Sequence, residues 1–256
     1  MSTASSKEVR DFFDRIAPQY RDRYTGGDAF HEYFFGERLS EATRDLDVRG
    51  RRILDVGAGT GKLYDHLLLI DPNIDYYAND VSSAMLENSN IPPQRRFAGQ
   101  VQDLDLKDLD FDLIFMLGVT TYQNDEDLTS TLRHLRDLIR PGGKLVITFT
   151  NPNSIDWLSR RFIKAVGRVF IPKGKVLAQS FQINPRGMNE AMALVRNMGF
   201  RLEKMTFLNH TIFPVNQLLK RPSSAVARKI HALGNTSAKE WLSSDFLMVL
   251  TREDAA

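Results

Sequence analysis

The stretch Ile53-Leu54-Asp55-Val56-Gly57-Ala58-Gly59-Thr60-Gly61-Lys62-Leu63 constrains the fold more than any other. It reads as a short apolar strand, a turn with three glycines in five residues, and the start of a helix. Gly57, Gly59 and Gly61 let the backbone turn tightly and approach a ligand with no Cβ in the way. The first helical turn presents backbone N–H groups that have no partner inside the helix. Asp55 precedes the turn, where its carboxylate can reach a cationic part of that ligand. Two phosphate-binding patterns fail in register. A dinucleotide fingerprint needs glycine where Lys62 stands, and a P-loop needs glycine at Val56 and Ser or Thr at Leu63.

The rest of the chain alternates strands and helices. Ile74–Asn79 reads as a second strand ending at Asp80, and Arg96–Ala98 as a third. Phe111–Leu117 is an almost continuous apolar run, as expected of a parallel strand buried on both faces. Residues 126–140 place Leu128, Leu132, Leu135 and Ile139 on one helical face. Leu145–Phe149, Arg201–Leu208 and Phe246–Thr251 complete the strands. Alternation of this kind implies a doubly wound α/β sheet with its ligand beyond the carboxyl ends of the strands. Ahead of it, Val9, Phe12, Phe13 and Ile16 share a helical face over 5–16, and Pro18 is expected to end that helix.

D-x-G-x-G-x-G after a strand resembles motif I of the class I S-adenosylmethionine-dependent methyltransferases. Asp80-x-Ser82-x-x-Met85-Leu86 resembles that family's next motif, although an acid at a strand end also suits a helix cap. The likeness covers about 50–208 and 244–251 and is strongest from 53 to 150. It implies a seven-stranded, mostly parallel Rossmann-like sheet with an antiparallel last strand. It also implies S-adenosyl-L-methionine as the methyl donor. The donor would contact Asp55, Gly57, Ala58, Gly59 and Gly61 at the turn. Asp80, Val81 and Met85 would follow on the ribose and adenine. Gln100, where the family often has an acid, would join Val101 and Leu117. Phe12–Tyr20 looks like the N-terminal lid of small-molecule members such as the ubiquinone/menaquinone C-methyltransferases.

This reading divides the chain into a lid (1–48), a core (49–150, 184–209 and 244–256) and two cap insertions (151–183 and 210–243). Charge follows the division. Residues 1–150 carry 18 Lys/Arg against 25 Asp/Glu, whereas 151–240 carry 15 against 4. Residues 158–175 hold six basic residues and no acid. A basic helix with an apolar face suits an anionic membrane surface, an anionic substrate or RNA, or is a solvated face packed by Phe162, Val166 and Phe170. The small-molecule acceptor is therefore expected to be amphiphilic or anionic. RNA is the lesser alternative, since no base-methylation signature or RNA-binding module is visible; no DNA partner is expected. A donor-binding partner subunit without turnover is the third reading. No apolar run reaches a membrane-spanning length and no secretory leader is visible, so a cytoplasmic protein, peripheral at most to a membrane's inner face, is expected.

A base for the acceptor's proton must lie on the donor face. His210, after the sixth strand, ranks first, and His31 and Tyr20 in the lid follow. Tyr24, Glu32, Tyr122 and Asn209 share that region, while His134 belongs to a helix surface. Cysteine is absent and the five histidines show no ligand-type spacing, so no metal is expected.

Overall fold

The computed structural model describes residues 6–25, 29–106, 109–170, 183–233 and 237–253, with side chains at 21–25 and 164–170 outside the description. Its centre is β1 (Arg52–Val56), flanked by β2 (Asp75–Asp80) and β4 (Phe111–Met116), both parallel to it. Beyond them lie β3 (Arg96–Ala98) on one side and β5 (Ile139–Thr150), β7 (Asp245–Arg252) and β6 (Phe200–Leu208) on the other. The sheet order is β3-β2-β1-β4-β5-β7-β6, and only β7 runs against its neighbours. The expected seven-stranded Rossmann-like architecture is thus observed.

All six β4 residues are buried, as a strand covered on both faces requires. Its residues alternate between two cores. Ile114 and Met116 meet the leucines of α5 (Asp125–Leu138) and, from α7 (Met188–Asn197), Ala191 and Val195. Leu113 and Phe115 face the opposite core, with Leu63 and Leu67 of α3 (Lys62–Leu68) and Ala42 of α2 (Ala29–Thr43). β1 alternates likewise, which puts Asp55 on the α3 side of the sheet at the strand's end. α5 starts where Asn124 accepts a hydrogen bond from Asp127 N at 2.8 Å, a side-chain cap that satisfies one of the helix's open donors.

One expectation needs correction. α1 runs Ser6–Thr25 with Pro18 inside it, rather than ending there. A mid-helix proline costs about 3 kcal/mol, but here it is exposed and its neighbour Ala17 is fully buried. The apolar face continues past it, since Phe13 packs against both Tyr122 (5.4 Å between centroids) and Tyr20 (6.4 Å). Packing decides what the local rule does not.

Both insertions lie at the carboxyl end of the sheet. The first begins with α6 (Ile155–Phe170). The second contains α8 (Val215–Leu218), α9 (Lys220–Ala232) and α10 (Ser237–Leu242). Asp156 of α6 accepts from Phe213 N at 2.7 Å, and Ser159 Oγ donates to Phe213 O at 2.7 Å, so the two are bonded to each other. Of the basic stretch 158–175, residues 171–175 lie outside the described residues, as do 176–182 of the first insertion.

Candidate active site

The glycine turn is held from two strands. Asn79 O at the end of β2 accepts from Gly57 N (2.8 Å) and Ala58 N (2.9 Å). Asp80 accepts from Gly59 N through Oδ2 and from Ser82 N through Oδ1, each at 2.8 Å. The three glycines have φ of 76°, 54° and 78°, the left-handed region. They differ in what surrounds them. A Cβ on Gly57 would lie 2.2 Å from Val119 Cγ2, and one on Gly61 about 3.1 Å from Ser89 Cβ. A Cβ on Gly59 would meet nothing within 4 Å, because that position faces an open cleft. Gly57→Ala is therefore expected to destabilise the fold by roughly 1–3 kcal/mol. Gly59→Ala should be milder in stability but should obstruct the cleft. Denaturant unfolding and donor titration of both variants check the contrast, and equal effects of the two on both readouts would refute it.

The cleft measures about 640 Å³, within the usual range for small-molecule sites. Asp55, Gly57, Ala58, Gly59, Asp80, Val81, Met85, Gln100, Val101 and Leu117 all line it, and Gly61 lies just behind. Tyr20, His31 and Tyr122 line it too. His210, the first-ranked base, does not; it is buried in a separate group of side chains, with His231 and Ser243 as neighbours. The loop from β6 turns inward, under α2, rather than over the cleft: Tyr33 Oη accepts from His210 N at 3.2 Å. Glu32 and Asn209 are also off the lining, and the Tyr24 side chain lies outside the described residues. Burial pushes the Tyr122 phenol well up, which makes it a poor proton acceptor.

Two carboxyl groups dominate the electrostatics. Asp55 is buried and its Oδ2 accepts from Tyr76 Oη at 2.5 Å. Desolvation raises its pKa to about 7; Tyr76 opposes the rise and the Asp80 charge adds to it. Burial likewise lifts Asp80 to about 6, against the hydrogen bonds from Ser82 and Gly59. Neither carboxylate is in a salt bridge among the described residues. Several polar atoms of the wall are also unsatisfied: Thr60 Oγ1, Thr121 Oγ1 and Gln123 Oε1 are buried with no hydrogen-bond partner. An orphaned polar group costs about 1–3 kcal/mol. Gln100 keeps only part of its expected role, since Oε1 already accepts from Gln102 Nε2 at 2.7 Å.

Residues 54–145 match the family described as a methyltransferase domain. The match covers about a third of the chain, so this segment is similar to a methyltransferase domain. The chain is 30% identical over 152 residues to a malonyl-[acyl-carrier protein] O-methyltransferase of Halorhodospira halophila, covering 57% of this chain and 49% of that protein. It is 33% identical over 110 residues to a tRNA U34 carboxymethyltransferase of Azotobacter vinelandii, covering 40% and 33% respectively. The chain thus spans about half the length, or less, of these curated relatives. Among solved structures it is similar to magnesium protoporphyrin IX methyltransferase of Synechocystis PCC 6803 with bound SAM. There the TM-score is 0.61 at 14% identity, covering 99% of this chain and 100% of that one.

One contributor to the cleft escapes a reading of motifs. Arg186, between the first insertion and α7, has a side chain only 3% exposed. Its guanidinium donates to the carbonyls of Thr120 (3.0 Å), Gln123 (2.9 Å) and Asn184 (3.3 Å) and to Asp125 Oδ1 (2.7 Å). It thereby fixes the loop after β4, whose residues 120–123 line the cleft. Its one sequence signal is a lone arginine beside a proline, 61 positions from Asp125.

Proposed function

We propose that this chain is an S-adenosylmethionine-dependent methyltransferase acting on a small-molecule acceptor with an apolar body. The observation that carries the reading is the pair of buried, cation-free carboxyl groups, Asp55 and Asp80, bracketing a glycine turn that opens on an aromatic cleft. Each Asp80 oxygen accepts one backbone N–H and keeps a lone pair for a ribose hydroxyl. Asp55 offers negative charge to a cationic donor, whose bound sulfonium supplies the methyl group. Val81, Met85 and Val101 give an apolar slot for the adenine.

The acceptor's place is the lid side of the cleft, walled by Phe12, Phe13, Phe30, Phe34, Phe35 and Trp157. These rings exclude water and align the acceptor, and alignment of this kind is worth up to roughly 7–11 kcal/mol. Arg38 and Arg160 also face the cleft, but Asp245 (3.0 Å) and Asp156 (2.7 Å) already pair with them. The walls therefore favour the amphiphilic form of acceptor over a purely anionic one. His31 is the histidine of the wall and is placed to take the proton that a hydroxyl, amine or activated carbon gives up. Exposed Leu158 and Phe162 beside Arg161, and Leu218, Leu219 and Val226 beside Lys220, Arg221 and Lys229, support delivery of such an acceptor from an anionic membrane surface. No helix of the described residues is long and apolar enough to cross a membrane. The tRNA-acting relative keeps RNA as the second reading.

The test is transfer of labelled methyl from S-adenosylmethionine into a lysate, sorted into lipid, RNA and small polar fractions, with parallel flotation on anionic vesicles. Label is expected in the lipid or apolar small-molecule fraction, together with salt-sensitive flotation. His31→Gln should lower kcat by about 10²-fold or more while donor affinity holds. Label in RNA would select the second reading. An absence of donor binding by calorimetry would end the proposal altogether.

A further inference from the structure

Behind the cleft wall, three distant pieces of chain converge. Glu37 comes from α2, His210 from the loop after β6, and His231 from α9. Glu37 Oε1 lies 2.6 Å from His231 Nδ1 and 3.9 Å from His210 Nε2, and the two ring nitrogens are 3.2 Å apart. Ligand atoms around a tetrahedral zinc ion, each 2.0–2.2 Å from it, stand about 3.4 Å from one another. Two of the three separations lie close to that spacing, and Glu37 and His231 would move apart to reach it. His210 is fully buried and the Glu37 side chain is 6% exposed.

Two further observations point to an occupant. The buried Glu37 Oε1 is aimed into the group, where it meets His231 Nδ1 at 2.6 Å, a contact that a shared cation would replace. In addition, every candidate ligand is held on its far side. His231 Nε2 meets Glu41 Oε1 at 2.9 Å, and His210 Nδ1 meets Ser243 Oγ at 3.0 Å. Glu37 Oε2 accepts from Asn209 N at 3.1 Å. A carboxylate or hydroxyl on the outer nitrogen is the arrangement that orients a metal-bound imidazole and raises its basicity. Two histidines and one carboxylate are also a donor set suited to zinc.

We infer that Glu37, His210 and His231 form a binding site for a zinc-type divalent cation, with Glu41 and Ser243 as outer partners. None of the three ligands lines the cleft, so the ion serves as a tie rather than as part of the chemistry. It joins lid helix α2 to cap helix α9 and to the end of β6. From there the connection reaches the cleft: Asn209 Nδ2 donates to Asp245 Oδ2, which pairs with Arg38 of α2.

The experiment uses the full chain without a histidine tag, freed of metal by a chelator and titrated with zinc alone. Calorimetry and elemental analysis should find one equivalent per chain with a dissociation constant in the micromolar range or tighter, and zinc should raise Tm. Glu37→Gln and His231→Asn should each weaken binding by at least about tenfold. Ser243→Ala should weaken it roughly 10–100-fold through the outer partner, and His134→Gln should leave it unchanged. An untagged parent without saturable binding near one equivalent overturns the inference. So does binding indifferent to Glu37→Gln, His231→Asn and Ser243→Ala. The parent's stoichiometry decides without any variant, so a misfolded substitution does not shelter the claim.

Discussion

Arg186→Met is expected to lower stability by about 3 kcal/mol. The ion pair is the smaller part of this. Asp125 is 82% exposed, so water screens its attraction to the guanidinium and takes over its solvation when Arg186 is lost. The carbonyls of Thr120, Gln123 and Asn184 decide the size, because each loses a buried donor at about 1 kcal/mol or more. The loop they anchor lines the cleft, so donor affinity should fall together with stability. Arg186→Lys should recover only part of the loss, since one ammonium cannot reach all the acceptors that the planar guanidinium reaches. Urea unfolding monitored by circular dichroism measures the change. A loss below about 1 kcal/mol would show that water replaces the guanidinium without penalty.

Asp80→Ala is expected to weaken S-adenosylmethionine binding by about 10²-fold. In the proposed donor site the carboxylate would make two charge-assisted bonds to ribose hydroxyls, each worth about 1.5–3 kcal/mol, and it holds the Gly59 N–H in place. Stability should respond differently. The folded carboxyl titrates at about 6, above the ordinary 3.8, so its contribution is full below 3.8 and is lost as pH rises through 6. The stability difference between the variant and the parent should therefore move in the variant's favour from pH 4 to pH 8. Calorimetric titration at pH 7.5 and thermal melts across that pH interval test both halves. Unchanged donor affinity would refute the ribose role, and a stability difference independent of pH would refute the raised pKa.

Local patterns carried much of the fold. The glycine spacing at 57, 59 and 61, the apolar run of β4 and the leucines of α5 are each legible within a dozen residues, because they report on one turn, one strand or one face. Asp80 was legible for a similar reason, lying at a strand end a fixed distance past the turn. What escaped depends on contacts between distant residues. Pro18 is tolerated because Phe13 and Tyr20 pack on both sides of it. His210 faces α9 rather than the cleft because of how the β6 loop descends, which no spacing encodes. Glu37, His210 and His231 meet only once α2 and α9 cross. Arg186 binds mostly carbonyl oxygens, which leave no trace in side-chain identity.

The bonds from Asp156 and Ser159 to the Phe213 backbone have a consequence for engineering. They make the two cap insertions one interchangeable part, although residues 184–209 of the core separate them in the chain. A graft that carried α6 alone would leave the Phe213 amide without its acceptor and would strand the second insertion. Moved together, they take Trp157 and Arg160 of the cleft lining with them and leave the glycine turn and Asp80 untouched. With the proposed acceptor wall and donor site on separate elements, acceptor choice and donor binding would be separable along this seam.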